Sequence, residues 1–564
     1  MVKSHSFIHL DTQTMLRHYF IPLISSVLLL ITGSYLSAQT LDNALRFSTE
    51  TLDGTARYQA MGGAFGAVGA DYGSLRQNPA GLGLFRSNEI QGTVSFGQNM
   101  DQATWYKEQY KKGRTAFGGN MSVVLATPLR GSGISFNLAL GFHQRQSFAR
   151  SFDVSNHHIT DFSLADYAAL ITPTKFSSKD LFGKNAYGSV NASWLAILGH
   201  RAGWTVEHQI IDPDDPRKSD TIYLSKFFYN DNRGILGPSN SQLRVNERGG
   251  IQDFDFTGGL NYNDRLYFGL GVKISALDYR MNSYYGEDFI DKDYLELANE
   301  LRTSGSGASV SFGLIARVSD HLRLGAAIQT PTWYTLQDDY VAGAESRYSR
   351  ALDKEGKPLP EKEWTVKDET PRDAAWRYQL QTPTKIVLSG AFVGRLGMLS
   401  LDYELANYSG IQLKDTYGPF VNDNKLMKEY FTPMQSTLRL GGEVRVSPQF
   451  SLRAGGYWRQ APMKASFDSN PNQSATIHVN EAGTVPHYEI VGMGYGVTGG
   501  LGWRFSPSSY IDLAVVYQGQ KSHMYPFPTL YYKEKGKDMQ LTTPQAIQLQ
   551  KQRIYGVATF GFKF

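Results

Sequence analysis

The chain reads as all-β: a transmembrane, antiparallel β-barrel of about fourteen strands. Three observations predict this. Strand-like segments alternate strictly between apolar and polar side chains from Glu89 to the end. The links between them alternate short and long. A glycine-rich stretch, residues 62–82, precedes the first strand and carries too few large apolar side chains to form a core alone. Such a piece is expected to sit inside something larger.

The first 38 residues read as an export signal. Arg17 precedes an apolar run, residues 20–31, and Leu36-Ser37-Ala38 ends in a small residue suited to cleavage before Gln39. Met15 is an alternative start. Twelve apolar residues are too few to span a bilayer, and nothing after Ile31 approaches the roughly 20 needed for a membrane helix. The 564 residues include no cysteine, 56 glycines and 13% aromatics, a profile of strands and tight turns. The formal charge of +4 is spread without a basic block, so no nucleic-acid partner is expected.

Strands are expected near 89–98, 116–127, 133–144, 242–261, 265–279, 305–318, 321–334, 384–394, 397–408, 435–446, 449–460, 495–505, 510–518 and 553–564. In one of them Leu266, Phe268, Leu270, Val272 and Ile274 oppose Tyr267, Gly269, Gly271, Lys273 and Ser275. A period of two places each set on one face. A soluble sandwich also alternates, but its strands average about five or six residues, whereas a tilted membrane strand needs about 9–11. Six short links (128–132, 262–264, 319–320, 395–396, 447–448, 506–509) alternate with seven long ones, which puts both barrel ends on the short-turn side, as in outer-membrane barrels. Tyr279, Trp333, Tyr334, Tyr408, Trp458 and Trp503 fall near strand ends and suit interfacial girdles. The last strand ends in Phe560, Phe562 and Phe564, resembling the signal read by the barrel-assembly machinery.

Asn78-Pro79-Ala80-Gly81-Leu82 behind a glycine-rich lead, followed by this strand series, resembles the FadL/TodX family of outer-membrane transporters for hydrophobic compounds. Residues 318–331, 382–409, 447–458 and 500–518 echo it, and the flavour looks like the Bacteroidetes branch, where some relatives are called hemin receptors and a related group serves as a secretion shuttle. The resemblance implies a fourteen-stranded barrel (89–564), an N-terminal hatch in its lumen (39–88), an outer-membrane location and passage of a small hydrophobic molecule. Asn78, Pro79, Ala80, Gly81 and Leu82 are the expected gating residues. Asn78 precedes a proline, so its backbone is extended and its side chain can close an Asx turn.

The stretch 284–302 is expected to be an external loop with a short amphipathic helix from Tyr294. Phe289, Tyr294, Leu297 and Leu301 would form an apolar face that catches a ligand or packs on neighbouring loops. Other motifs fail on context. The GxGxxG spelling at 494–499 opens a barrel strand instead of following one. His157-His158 and Asp212, Asp214 and Asp215 read as loop and turn residues before they read as metal ligands. No HExxH, GxSxG or Walker A pattern occurs, so no enzyme and no cofactor are expected. Expected partners are membrane lipid or lipopolysaccharide, a small hydrophobic ligand and the assembly machinery. An alternative is a scaffold barrel holding a secreted or envelope protein, motivated by the long links 147–241 and 335–383.

Overall fold

Fourteen strands close into one antiparallel barrel: β1 (Glu89–Trp105), β2 (Glu108–Leu129), β3 (Ile134–Ser147), β4 (Asn240–Tyr262), β5 (Leu266–Asp288), β6 (Tyr294–Arg317), β7 (Leu322–Gln329), β8 (Lys385–Val393), β9 (Gly397–Ala406), β10 (Gln435–Arg445), β11 (Phe450–Arg459), β12 (Tyr488–Arg504), β13 (Ser509–Tyr525) and β14 (Ile547–Lys563). Each pairs with the next, and β14 pairs back onto β1 from Glu89↔Lys563 to Thr104↔Gln548. Closure leaves the barrel ladder without an unpaired edge, the condition a bilayer imposes on backbone polar groups. The computed structural model describes residues 38–564 except 130–132, 159–161, 191, 212–218, 228, 232–233, 351–356, 417, 465–482, 529, 535–536 and 543. The expected export signal, but for Ala38, and the turn at Asp212, Asp214 and Asp215 lie outside the described residues. No described helix is long and apolar enough to cross a membrane, which says nothing of strands.

A belt of apolar side chains circles the outside. On β5 it is Leu266, Phe268, Leu270, Val272 and Ile274; on β2, Phe117 (74% exposed), Met121 and Leu125. Water would make this surface costly at roughly 25 cal/mol per Å² of apolar area; hydrocarbon removes that cost. The inward face of the same rows is small or polar.

Above the belt the chemistry of the two faces inverts while the parity is kept. On β5 the inward positions become Leu277, Tyr279, Met281 and Tyr285, all buried, and the outward ones become Asp278, Arg280 and Asn282. On β6 the inward positions above the belt are Leu295, Leu297 and Leu301. At about 3.3 Å per residue, the 24 residues of β6 extend about 80 Å along the strand. That is more than twice what a bilayer needs. The upper halves therefore form the walls of a cap with its own hydrophobic core. Helices α1 (Ala38–Ser48), α2 (Leu164–Ile171), α3 (Trp194–Arg201) and α4 (Val421–Tyr430) contribute to it. Helix α2 starts at a capping box: Ser163 Oγ accepts from Ala165 N at 3.0 Å, and Ser163 N donates to Asp166 Oδ2 at 2.8 Å.

Three sequence expectations are corrected. Residues 294–301 are strand, not helix; Leu295, Leu297 and Leu301 alternate with exposed partners because both sides of that segment pair, with β5 and with Trp333–Arg347. The link expected at 99–115 is a continuation of β1 and β2 closed by a two-residue turn at Tyr106 and Lys107. Tyr279, Tyr334 and Tyr408 do not join a girdle but point inward and are buried, while Trp333, Trp458 and Trp503 are exposed on the outside.

Candidate functional site

Residues 41–88 run inside the barrel and are tied to inward-facing groups around its circumference. They contain little regular structure, and side chains replace the missing ladder. Thr55 Oγ1 accepts from Tyr58 N and donates to Asp71 Oδ1 at 2.7 Å, while Asp71 caps the next turn through Gly73 N. Asn78 caps the turn Pro79–Leu84, with Oδ1 accepting from Ala80 N at 3.1 Å, so it closes an Asx turn. Its Nδ2 donates to Gly66 O within the segment and to Leu314 O of β6 at 3.2 Å. Ala56 N reaches Thr559 Oγ1 on β14, Gly62 N reaches Thr498 Oγ1 on β12, and Gly66 N reaches Asp402 Oδ2 on β9. Asn137 on β3 donates to Leu82 O and Phe85 O. Arg57 pairs with Glu443 of β10 at 3.0 Å, and Glu443 also takes Arg453, which continues to Asp512.

Elsewhere the backbone of the segment packs directly on wall backbone, at inward-facing glycines. Gly259, Gly269 and Gly313 are register partners on β4, β5 and β6 and all point inward. A Cβ on Gly269 would lie 2.1 Å from the Pro79 carbonyl carbon, and one on Gly259 would meet Leu82 and Gly83. Pro79 through Gly83 thus rest on a row of three glycines. A second such place is formed by Gly441 and Gly455, also register partners, which receive Met61. Gly62 beside it has φ +64°, a conformation glycine adopts without the clash a Cβ brings. The expected gating residues Asn78, Pro79, Ala80, Gly81 and Leu82 are therefore buried together against β4, β5 and β6.

Between α1 and the upper wall lies a cavity of about 160 Å³. Ten charged side chains line it: Asp42, Glu50, Asp101, Glu247 and Glu489 against Arg46, Arg150, Arg459, Lys551 and Arg553. Arg46 pairs with Glu247 at 3.1 Å, and Arg150 bridges Glu247 and Glu489. Asp101 Oδ1 and Arg553 Nε are buried without a hydrogen-bond partner among the described residues. Phe148, Phe152, Leu45 and Leu549 supply an apolar part. The cavity is amphipathic, with charge that sequence reading did not foresee, because its charged members come from α1, β1, β4, β11, β12 and β14 and from the segments that follow α1 and β3. On the lipid side, a separate depression of about 310 Å³ is lined by apolar groups of β2, β3, β4 and β5, including Leu125, Leu140, Phe256 and Leu270.

The second expected group lines neither space. Leu297 and Leu301 are in the cap core, Phe289 stacks on Phe227 at 4.6 Å, and Tyr294 donates to Glu345 Oε1. His158 packs its ring on Tyr106, and among the described residues no histidine or carboxylate cluster is arranged to hold a metal.

One polar group in the cap was not foreseen. His200 Nε2 lies 2.7 Å from Ser178 Oγ and its Nδ1 lies 2.9 Å from Thr205 Oγ1. Among the described residues no carboxylate is hydrogen-bonded to the ring, and burial, then the Lys226 ammonium, push its pKa down to about 4 against a smaller upward pull from Glu207. A base that weak does little at neutral pH, so the pair reads as structure. An unfolded histidine titrates near 6.5. The folded contribution is thus whole above pH 6.5 and is lost as pH falls toward 4, by about 2–3 kcal/mol. Protection of residues 178–205 against hydrogen exchange, taken relative to the intrinsic exchange rate at each pH, is expected to fall between pH 7 and 4.5, and His200→Gln is expected to flatten that dependence.

The fold and its bore define a class: a closed, membrane-type β-barrel whose own N-terminal residues occupy the lumen. No family model matches the chain, and no curated protein matches it. Among solved structures it is similar to a FadL homologue of Pseudomonas aeruginosa (11% identity, 91% of this chain and 99% of that one, TM-score 0.46). It is also similar to the toluene transporter TodX of Pseudomonas putida (13% identity, 91% and 99%, TM-score 0.45) and to the toluene transporter TbuX of Ralstonia pickettii (11% identity, 90% and 98%, TM-score 0.43). At these scores the likeness adds nothing to the strand order and closure given above.

Proposed function

We propose that the protein is an outer-membrane channel that admits a small amphipathic molecule, fatty-acid-like or aromatic, and that residues 39–88 act as its hatch. The observation that carries this reading is the manner of docking at Gly259, Gly269 and Gly313. The segment rests on the wall by shape and by scattered hydrogen bonds, without joining a strand ladder, so it can shift without opening the barrel. The apolar belt supports a bilayer location, and the cavity beside α1 supports a ligand with an apolar body and a polar end. The notion of a plain hydrocarbon ligand fits that lining less well.

Protein purified from membranes is expected to release a lipophilic molecule on organic extraction, detected by mass spectrometry, and to accelerate uptake of a labelled fatty acid into proteoliposomes. An empty lumen together with uptake no faster than protein-free vesicles would remove the proposal. A second reading, a scaffold barrel for a secreted or envelope protein, is favoured by the cap, whose strands extend far beyond bilayer height. A stoichiometric protein partner with no lipophile in the lumen would support it instead.

A further inference from the structure

Three arginines stand side by side on the outer wall: Arg248 on β4, Arg280 on β5 and Arg302 on β6. Register pairs Arg280 with Arg248 on one side and with Arg302 on the other. Their chain neighbours Glu247, Tyr279 and Leu301 are buried inward, which sets all three on the outer face. Like charges directly opposite across strands are destabilising. A protein without use for the row could hold any uncharged polar residue there.

Counter-charge within the wall is incomplete. Asp278, one step lower, is shared: its carboxylate is 3.7 Å from Arg280 Nε and 3.4 Å from Arg302 Nε. Asp339 ends the row beyond Arg302 but already accepts from Gln337, and Glu300 stands two residues above Arg302. Arg377 adds a further cation one step lower, where it donates to Gln337. The unmatched positive charge lies at the β4–β5 end, where Arg248 is exposed and has no ion pair among the described residues.

The height matters. Arg280 is six residues above Ile274, the top of the apolar belt on β5. That is about 20 Å along the strand, or about 15 Å vertically at a 40° tilt. Long arginine side chains reach down from there into a headgroup layer. The row is at the end that carries the long links after β3, β7, β9, β11 and β13, opposite the six short links, and in the proposed orientation that end faces the outer leaflet.

We propose that this row binds the phosphate of an outer-leaflet glycolipid, whose acyl chains lie against the belt below. The guanidinium fork matches paired phosphate oxygens, and an anion between the arginines removes their mutual repulsion. The site rests on the outer-membrane reading of the barrel.

The test uses the full chain in detergent micelles, with native mass spectrometry and thermal unfolding as readouts. The probes are diphosphoryl lipid A, its dephosphorylated form and phosphatidylglycerol. The wild type is expected to bind diphosphoryl lipid A at least tenfold more tightly than either other lipid. Arg248→Gln/Arg280→Gln/Arg302→Gln is expected to lose that preference, while without lipid it unfolds at the same temperature as wild type or higher. The triple lysine variant is expected to retain part of the preference. A wild type without preference for phosphate, a glutamine variant that keeps it, or equal binding of phosphatidylglycerol would overturn the site. Insertion into lipid vesicles is measured in parallel. A protein that inserts but ignores phosphate loses only this site, whereas one that does not insert loses the membrane reading as well.

Discussion

Deletion of residues 39–87 is expected to leave an open pore. The fourteen-strand ladder begins at Glu89 and takes no backbone pairing from the deleted residues, so the barrel has what it needs to close. The groups left behind in the lumen, Asp402, Glu443, Thr498 and Thr559 among them, are polar and can be hydrated. What is lost is the filling of the bore and one support of the cap, because Phe47 of α1 packs edge-on against Phe148 and Tyr279. Single-channel conductance in planar bilayers is expected to rise at least tenfold over the full chain. Heat-modifiable migration should persist, and the cap should unfold at a lower temperature. A conductance equal to that of the full chain would show that these residues do not close the bore.

Gly269→Val should give much of that effect with one side chain. The glycine has ordinary extended backbone, so valine suits the strand itself. Its Cβ, however, would lie 2.1 Å from the Pro79 carbonyl carbon and 2.2 Å from Ala80 N, and neither backbone atom can move aside without shifting the turn. Overpacking of this kind costs about 1–3 kcal/mol where neighbours can relax. Here relaxation means lifting Pro79–Leu84 off β4, β5 and β6 and breaking the Asn78 bond to Leu314. The expected result is a folded barrel whose N-terminal residues become accessible to protease, with leak conductance between those of the full chain and the deletion. Gly390→Val, on the outward face of β8 where a Cβ would meet nothing closer than 3.9 Å, is the control for valine in a barrel strand and should behave as wild type. Protection of the N-terminal residues in Gly269→Val equal to wild type would show that the glycine row is no seat.

Much of the lower barrel could be read directly from the chain. Leu266 to Ile274 alternate because one side meets hydrocarbon and the other a polar lumen, and that contrast is strong enough to show in a single sequence. The upper halves were less legible for a physical reason. Around Tyr294–Leu301 the apolar residues fall at spacings that fit a helical face and a strand face equally, and the decision comes from partners far away: Ala342, Ala344 and Ser346 on one side and Tyr285, Ser283 and Met281 on the other. Likewise Tyr279 and Tyr334 sit at strand positions that look interfacial until the cap core above the membrane is known to exist. In the lumen, the Asx turn at Asn78 is a local matter and local residues foretell it. The charged cavity is not local, since its carboxylates and guanidiniums are brought together only by closure of the sheet. The glycines at 259, 269 and 313 carried a signal that went unused: once strands are placed in register, they form a line.

The inversion of apolar and polar faces along β5 and β6 also sets an order of events in biogenesis. While the strand is in water, both Ile274 and Leu277 want shelter, and they point to opposite sides. Ile274 finds it only in lipid; Leu277 finds it only when the upper strands and helices meet around it. Insertion would fix the first and bring the strand tops together, so assembly of the cap is expected to follow completion of the wall. Protease resistance of residues 164–201 is expected to appear only after insertion, and its appearance in protein kept out of lipid would show that the cap assembles without the wall.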